Sequence, residues 1–319
     1  MIEPAWVCEL DKVSTEVGSI KLKYNRQQKL KQISDFISTL VFRLVLWILS
    51  FLPYKSRVTV GSIFFSRVIA PLLGNFKRIS DNLTLVMPNL TNDEKKRLAQ
   101  SVNRNIGKTI FELLFPDSFS YFAKKAKVTG PGFAKLIDAD KSNRPIILVS
   151  GHYGNYDVVR ANLRSKGIEV GALYKPMQNI HFNRLYLEKI SQIGHPLFPR
   201  GRNGMNQMIQ YLKMGNCIAI LFDQVMGKGE PLKFFGKTAY TATSVAKLAI
   251  KYEAMLIPFF SERQSDGFSF ELCFGEPIVH DDPLKMTQQL NDLLEGRIRE
   301  NLDQWLWTHK RWKKPPNLS

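Results

Sequence analysis

The pattern of apolar and polar positions changes character twice along the chain. Residues 1–31 mix polar and charged side chains without an apolar period and end in the basic positions Lys21, Lys23, Arg26, Lys29 and Lys31, which reads as a flexible tail. Residues 36–52 (FISTLVFRLVLWILSFL) follow as the most apolar run, with no Gly or Pro and Arg43 as their one charge. Such a run is at the short limit for a spanning helix, and a central Arg costs about 2.5–3.5 kcal/mol on insertion scales. Spanning the membrane and lying in its interface with Trp47 down therefore both stay open. The segment begins too far from the start, and lacks the small-residue site, for a cleaved leader. Residues 61–73, broken by Arg67 and Pro71, predict a helix packed near the membrane rather than a second span. Residues 90–115 predict a helix capped by Thr91, Asn92 or Asp93 ahead of the charged turn DEKKR.

After Gly130, Pro131 and Gly132 the period shortens. Apolar runs at 146–150, 217–222 and 255–260 read as strands, and the amphipathic stretches 157–165 and 244–252 read as helices. That alternation predicts an α/β body with a central mixed sheet flanked by helices. The chain thus divides into a basic tail over 1–35, a membrane anchor and helical part over 36–125, and an α/β body with a basic, aromatic C-terminal segment over 126–319.

Charge adds a partner class. The 45 Lys and Arg against 28 Asp and Glu leave a net charge of +17, which suits nucleic acid, an anionic leaflet, a phosphorylated lipid or an acidic carrier protein. Cys8, Cys217 and Cys273 are too scattered for a paired zinc site or a disulfide scaffold and fit a reducing compartment.

The candidate chemistry lies where the strand 146–150 runs into Gly151-His152-Tyr153-Gly154-Asn155-Tyr156-Asp157 and then into a helix. Two glycines allow a sharp turn that sets His152 at a strand's carboxyl end, the usual place for ligand sites in open α/β sheets. Asp157, five residues on, is positioned to accept a bond from the imidazole Nδ1, fix its tautomer and leave Nε2 free to take a proton. The other four histidines have no acid at that spacing. There is no G-x-S-x-G elbow, P-loop, H-E-x-x-H or complete dinucleotide fingerprint, which disfavours a serine nucleophile and a metal hydrolase; no metal is expected. Lys175, Arg200, Arg202, Lys228 and Lys233 fall in loops, where cations can grip phosphate. Asp223 and Gln224 end the strand 217–222 and so belong at the same sheet edge as His152. Phe235 and Gly236, with Phe234, are candidates for an apolar wall along an acyl chain.

Several of these stretches together resemble the bacterial lipid A late acyltransferases, the lauroyl and myristoyl transferases of lipopolysaccharide assembly. The similar segments are RISDNLTLVMPNL from Arg78, NIGKTIFELL from Asn105, HYGNYD, LYKPMQN from Leu173, FDQ at Phe222, KFFGKTAYTATS from Lys233 and WLWTHKRWKK from Trp305, in order over residues 36–314. The resemblance implies a glycerolipid-acyltransferase-like fold and an inner-membrane enzyme with its site on the cytoplasmic face. It also implies an acyl carrier protein thioester as donor, a hydroxyl of a phosphorylated lipid A precursor as acceptor, and no cofactor. By the same resemblance His152 is the general base and Asp157 its orienting partner. One departure is that Lys189 and Ile190 stand where the family often has an Arg shortly before the glycine matched by Gly194.

A second enzyme reading, acylation of a lysophospholipid or glycolipid, uses the same residues. A basic, membrane-tethered nucleic-acid binder accounts for the charge and for Trp305, Trp307 and Trp312 among basic residues. It leaves the HYGNYD turn without a role, so no nucleic acid is expected, and the tryptophans are expected at a membrane interface.

Overall fold

In a computed structural model of the chain, the described residues are 5–225 and 229–313, with side chains from Gln28 onward. Helix α1 (Ala5–Ser50) opens the chain, so the segment read as a tail is helical from Ala5. No proline stands between Pro4 and Pro53 to stop it. Within α1, Gln28–Ser50 is 23 residues long and apolar enough to cross a membrane, about 35 Å at 1.5 Å per residue.

Two compact units share the chain. One joins residues up to Phe51 with Met177–Leu187, and the other joins Leu52–Pro176 with Glu188–Ser319. The helical part after residue 52 therefore belongs with the α/β body, and the boundary lies far upstream of residue 126. In the first unit the Asn179 amide donates to the Asp35 carbonyl at 3.0 Å and to Thr39 Oγ1 at 3.2 Å. Phe42 and Phe182 meet edge to face with ring centres 5.0 Å apart. Leu40, Leu44, Trp47 and Ile48 remain exposed.

The second unit begins with helices α2 (Tyr54–Phe64), a π turn (Phe65–Ile69), α3 (Ala70–Leu72), α4 (Asn75–Val86), α5 (Asn92–Leu114) and α6 (Pro116–Lys124). Thr91 caps α5 in a reciprocal box, accepting from the Glu94 amide while the Glu94 carboxylate accepts from the Thr91 amide at 2.7 Å. There follow β1 (Lys127–Thr129), α7 (Gly132–Lys141), β2 (Ile146–Ser150), α8 (Val158–Arg164) and β3 (Val170–Tyr174). Next come α9 (Ile180–Ile193), which starts in the other unit, β4 (Leu197–Pro199), α10 (Arg202–Lys213) and β5 (Cys217–Leu221). The chain closes with β6 (Glu230–Phe234), β7 (Lys237–Thr241), α11 (Ser244–Lys251), β8 (Met255–Arg263), β9 (Phe270–Phe274) and α12 (Pro283–Glu300).

Seven strands form one sheet in the order β1-β9-β8-β2-β5-β3-β4, and β6 and β7 form a separate hairpin. All neighbours are parallel except β8 and β9, as the alternating pattern predicts. Strand β2 (IILVS) is buried at every position, which is why it reads as a continuous apolar run rather than an alternating one. The same burial makes it the rigid post for the turn that follows.

Candidate active site

Parallel pairing assembles the site. Strands β2 and β5 run together from Ile146↔Cys217 to Ser150↔Leu221, so His152 and Asp223 each leave the same sheet edge two residues past the last pair. Gly151 lets them meet, because a Cβ there would lie 2.9 Å from Asp223 Oδ2 and 2.6 Å from a Leu294 methyl. The His152 main-chain N–H donates to Asp223 Oδ2 at 2.8 Å, and its Nδ1 lies 2.6 Å from Oδ1. The Trp305 indole N–H donates to Oδ2 at 2.8 Å. Burial alone would raise the Asp223 carboxyl, but the His152 charge and these hydrogen bonds outweigh it and hold the group at about 2, against an ordinary 3.8.

An ionised Asp223 accepts a hydrogen bond from Nδ1–H, which fixes the tautomer in which Nε2 presents its lone pair. The Gln224 amide nitrogen is 3.3 Å from that Nε2. His152 lines an open pocket bordered by Val102, Asn105, Ile106, Thr109 and Ile110 of α5, by Gly154 and Tyr156, and by residues 303–306. The α5 residues recur at three- and four-residue spacing, so one face of that helix forms the wall. Val102, Ile106 and Ile110 make it largely apolar.

Two supports hold the turn. Beneath it, the Asn155 amide donates to Glu112 Oε2 at 2.8 Å, and the Arg263 guanidinium pairs with both oxygens of the same fully buried carboxylate. Gly154 sits at φ +57°, where a Cβ would run into the Ser261 carbonyl. Above it passes the strap 305–311. Leu306 N–H donates to the His152 carbonyl at 3.0 Å, and the Asn82 amide of α4 holds the Trp307 and His309 carbonyls at 2.7 and 2.8 Å. His309 Nε2 accepts from Val225 N–H at 2.9 Å, just after Asp223 and Gln224. Burial lowers the His309 pKa, which keeps that nitrogen available as an acceptor.

The model of the bacterial lipid A biosynthesis acyltransferases matches residues 24–314. The chain belongs to that family. It is 24% identical to a lipid A biosynthesis lauroyltransferase of Escherichia coli K12, over 85% of this chain and 90% of the relative. A lipid A biosynthesis palmitoleoyltransferase of the same strain is 23% identical over 85% and 90%. A lipid A biosynthesis acyltransferase of Haemophilus influenzae is 24% identical over 74% and 76%. The protein is an acyltransferase of lipid A biosynthesis.

Within the H-x4-D segment, His152 stands at the strand end where the sequence puts it, but Asp157 pairs elsewhere. Asp157 is the residue just ahead of α8, and its Oδ1 accepts from Arg160 Nη1 at 2.7 Å. A helical turn brings positions three apart together, and both side chains are buried. Arg160 in turn donates to the Gly194 carbonyl, which caps α9. The cation beside Gly194 thus comes from α8, where the sequence offered only Lys189 and Ile190.

Asp223 and Gln224 come to His152 as the strand pattern predicts, and Asp223 takes the orienting contact expected of Asp157. Lys175 and Arg200 follow the neighbouring strands β3 and β4, paired up to Tyr174↔Pro199. Both are exposed on the same carboxyl edge, about 10 and 15 Å from His152 by strand spacing. Arg202 opens α10 beside them. Lys233 is elsewhere, exposed on the β6–β7 hairpin with its main chain tied to Gln288. Phe235 and Gly236 are the hairpin's two turn residues, with φ of 52° and 68°. Phe235 is buried against Trp307 and Trp312, so it packs a core cluster rather than the pocket wall. Trp305 and Trp307 are 1% and 0% exposed and therefore form core, not a membrane interface. Lys228 lies outside the described residues.

Residue patterning missed three parts of the site. Glu112 had a signal, a lone acid in the apolar end of a helix (TIFELLF). Trp305 and Arg263 had none, because their partners are more than 80 residues away.

Proposed function

We propose that the protein moves a fatty acyl chain from an acyl carrier protein thioester to a hydroxyl of a phosphorylated lipid A precursor, with His152 as general base and Asp223 as its orienting partner. The observation that carries this reading is an imidazole held at Nδ1 by a buried carboxylate in a residue that also lines an apolar-walled pocket. The acceptor hydroxyl displaces the Gln224 amide from Nε2 and gives up its proton as its oxygen attacks the thioester carbonyl carbon. The C–S bond then breaks, and the imidazolium returns the proton to the departing thiolate. Asp223 stabilises the imidazolium formed in between. The α5 wall holds the acyl chain, and the step uses no cofactor and no covalent acyl-enzyme.

The exposed cations Lys175 and Arg200, two and three strand spacings from His152, and Arg202 beside them suit the acceptor phosphate or the acidic carrier. Lys233, on its separate hairpin, suits carrier docking alone. With α1 as the anchor, the net +17 favours an anionic inner-membrane leaflet and a cytoplasmic site, where carrier-bound donors are. The test is acyl transfer by the full-length protein, read by lipid mass spectrometry, with carrier-bound and coenzyme A-bound donors and with acceptors bearing or lacking phosphate. Transfer that is indifferent to donor carrier and acceptor phosphate, and that survives His152→Ala, would overturn the reading.

A further inference from the structure

From α2 through the π turn to α3 the packing is largely inside out. The buried side is mostly small, with Gly61, Ser62, Ser66 and Ala70 beside Val58 and Phe65. A Cβ on Gly61 would strike the Phe111 ring, and one on Gly107 would lie 2.8 Å from the Ser62 Cα and 3.0 Å from the Phe65 Cβ, so the helices touch backbone to backbone. Outward they turn large apolar residues. Val60, Phe64, Val68 and Leu72 recur every fourth position and are all exposed, Leu72 at 81% and its neighbour Leu73 at 51%. In an α-helix each four-residue step drifts about 40° around the axis. The wider π turn at Phe65–Ile69 opposes that drift and keeps the four side chains in one stripe.

The chain then bends by 81° into α4. Gly74 sits at φ +68° with open space around it, and the Asn75 amide holds the bend by donating to buried Asn103 of α5 at 3.0 Å. Leu72 and Leu73 are thereby pushed to the tip of an elbow. Arg67, Lys77 and Arg78 are exposed around it, with Lys77 paired to Asp81. Small residues between helices and large apolar ones outside is the arrangement helices take in lipid, where water no longer drives the large ones inward. The basic residues beside the tip complement anionic headgroups.

We propose that this elbow is a membrane contact in its own right, dipping its Val60–Phe64–Val68–Leu72 stripe and Leu73 into the headgroup and upper acyl region of an anionic leaflet. Helix α5 carries the elbow on one face and the pocket wall on another, so the contact sets the pocket beside the leaflet in which a lipid acceptor resides. That last consequence rests on the function proposed above; the contact itself does not.

The experiment places an environment-sensitive fluorophore on Leu73→Cys in full-length protein carrying Cys8→Ser and Cys273→Ser, with buried Cys217 left in place. The protein is bound to phosphatidylglycerol-containing vesicles, with nitroxide quenchers at the headgroup, the upper acyl chain or the chain end. The expected result is a blue-shifted probe quenched at least threefold more by the upper-chain nitroxide than by the chain-end one. Arg67→Ser with Arg78→Ser should cut that quenching at least twofold. A probe that stays in water overturns the proposal. One quenched most from the chain end overturns it in favour of a broken span, and indifference to the two Arg substitutions overturns the choice of anionic lipid. The readout needs no acyl transfer, so it stands or falls separately from the role of His152.

Discussion

Asp223 and Asp157 are both buried carboxylates close to the same turn, and each is in hydrogen-bonding contact with a basic side chain. Asp223 faces His152, which opens on the pocket, whereas Asp157 faces Arg160, which closes onto the carbonyl that ends α9. In sequence Asp157 is the near neighbour of His152 and Asp223 is 71 residues away. Nearness along the chain therefore identifies the helix bolt, while parallel pairing of β2 with β5 identifies the carboxylate in contact with the imidazole. Under the proposed mechanism the two corners ask opposite things of a carboxylate: one steadies a charge that appears during turnover, the other holds a permanent one.

The sharpest way to break this contrast is through the base itself. His152→Ala should lower turnover per folded molecule by about 10²- to 10⁴-fold, and should also lower the melt, because buried Asp223 loses its partner. Asp223→Asn should come next, with a loss on the order of 10²-fold or more, because the carboxamide neither fixes the Nδ1–H tautomer nor balances the imidazolium. That variant also has a stability signature. The Asp223 carboxyl is held at about 2 against an ordinary 3.8, so its contribution is fully present above pH 4 and is lost as pH falls toward 2. Wild type should shed about 2 kcal/mol across that window in acid unfolding, and Asp223→Asn should lack this limb. Equal acid unfolding curves would remove the charge from the argument.

Trp305→Phe sharpens the comparison from the other side. It removes one donor from Asp223 while keeping most of the aromatic packing, and a hydrogen bond to a charged group is worth about 1.5–3 kcal/mol. A fall in kcat of roughly 10- to 100-fold, with KM nearly unchanged, is the expected result. A change confined to KM would instead assign Trp305 to substrate binding rather than to holding Asp223.

The smallest effect on chemistry should come from Asp157→Asn. Breaking a buried ion pair costs about 3–5 kcal/mol, so the melt should fall strongly, yet turnover per folded molecule should stay within a few-fold of wild type. Replacing the pair together, Asp157→Leu with Arg160→Met, should recover much of the lost stability. Turnover abolished in a folded Asp157→Asn protein would return that residue to the role its spacing suggests.

Much of this molecule is legible one residue at a time. The fully apolar run IILVS marks a strand covered on both sides, the Thr91 and Glu94 pair marks a helix start, and the glycines at 151 and 154 mark a turn too tight for a Cβ. The strand 217–222 even places Asp223 and Gln224 at the right edge. These features depend on contacts within a few residues, or on burial that every position of a strand shares, so periodicity and turn chemistry report them. The choice between Asp157 and Asp223 depends instead on strand order, which no local pattern encodes. The same holds for the C-terminal segment. Tryptophans among lysines read alike at a membrane surface and in a core, and only the strap's path across His152, pinned by Asn82 of α4, buries Trp305 and Trp307. Composition and spacing determined that the chain would carry a membrane-length apolar helix and an α/β body with a histidine on a strand end; the tertiary structure decided which carboxylate lies against that histidine, because that depends on which strands lie side by side.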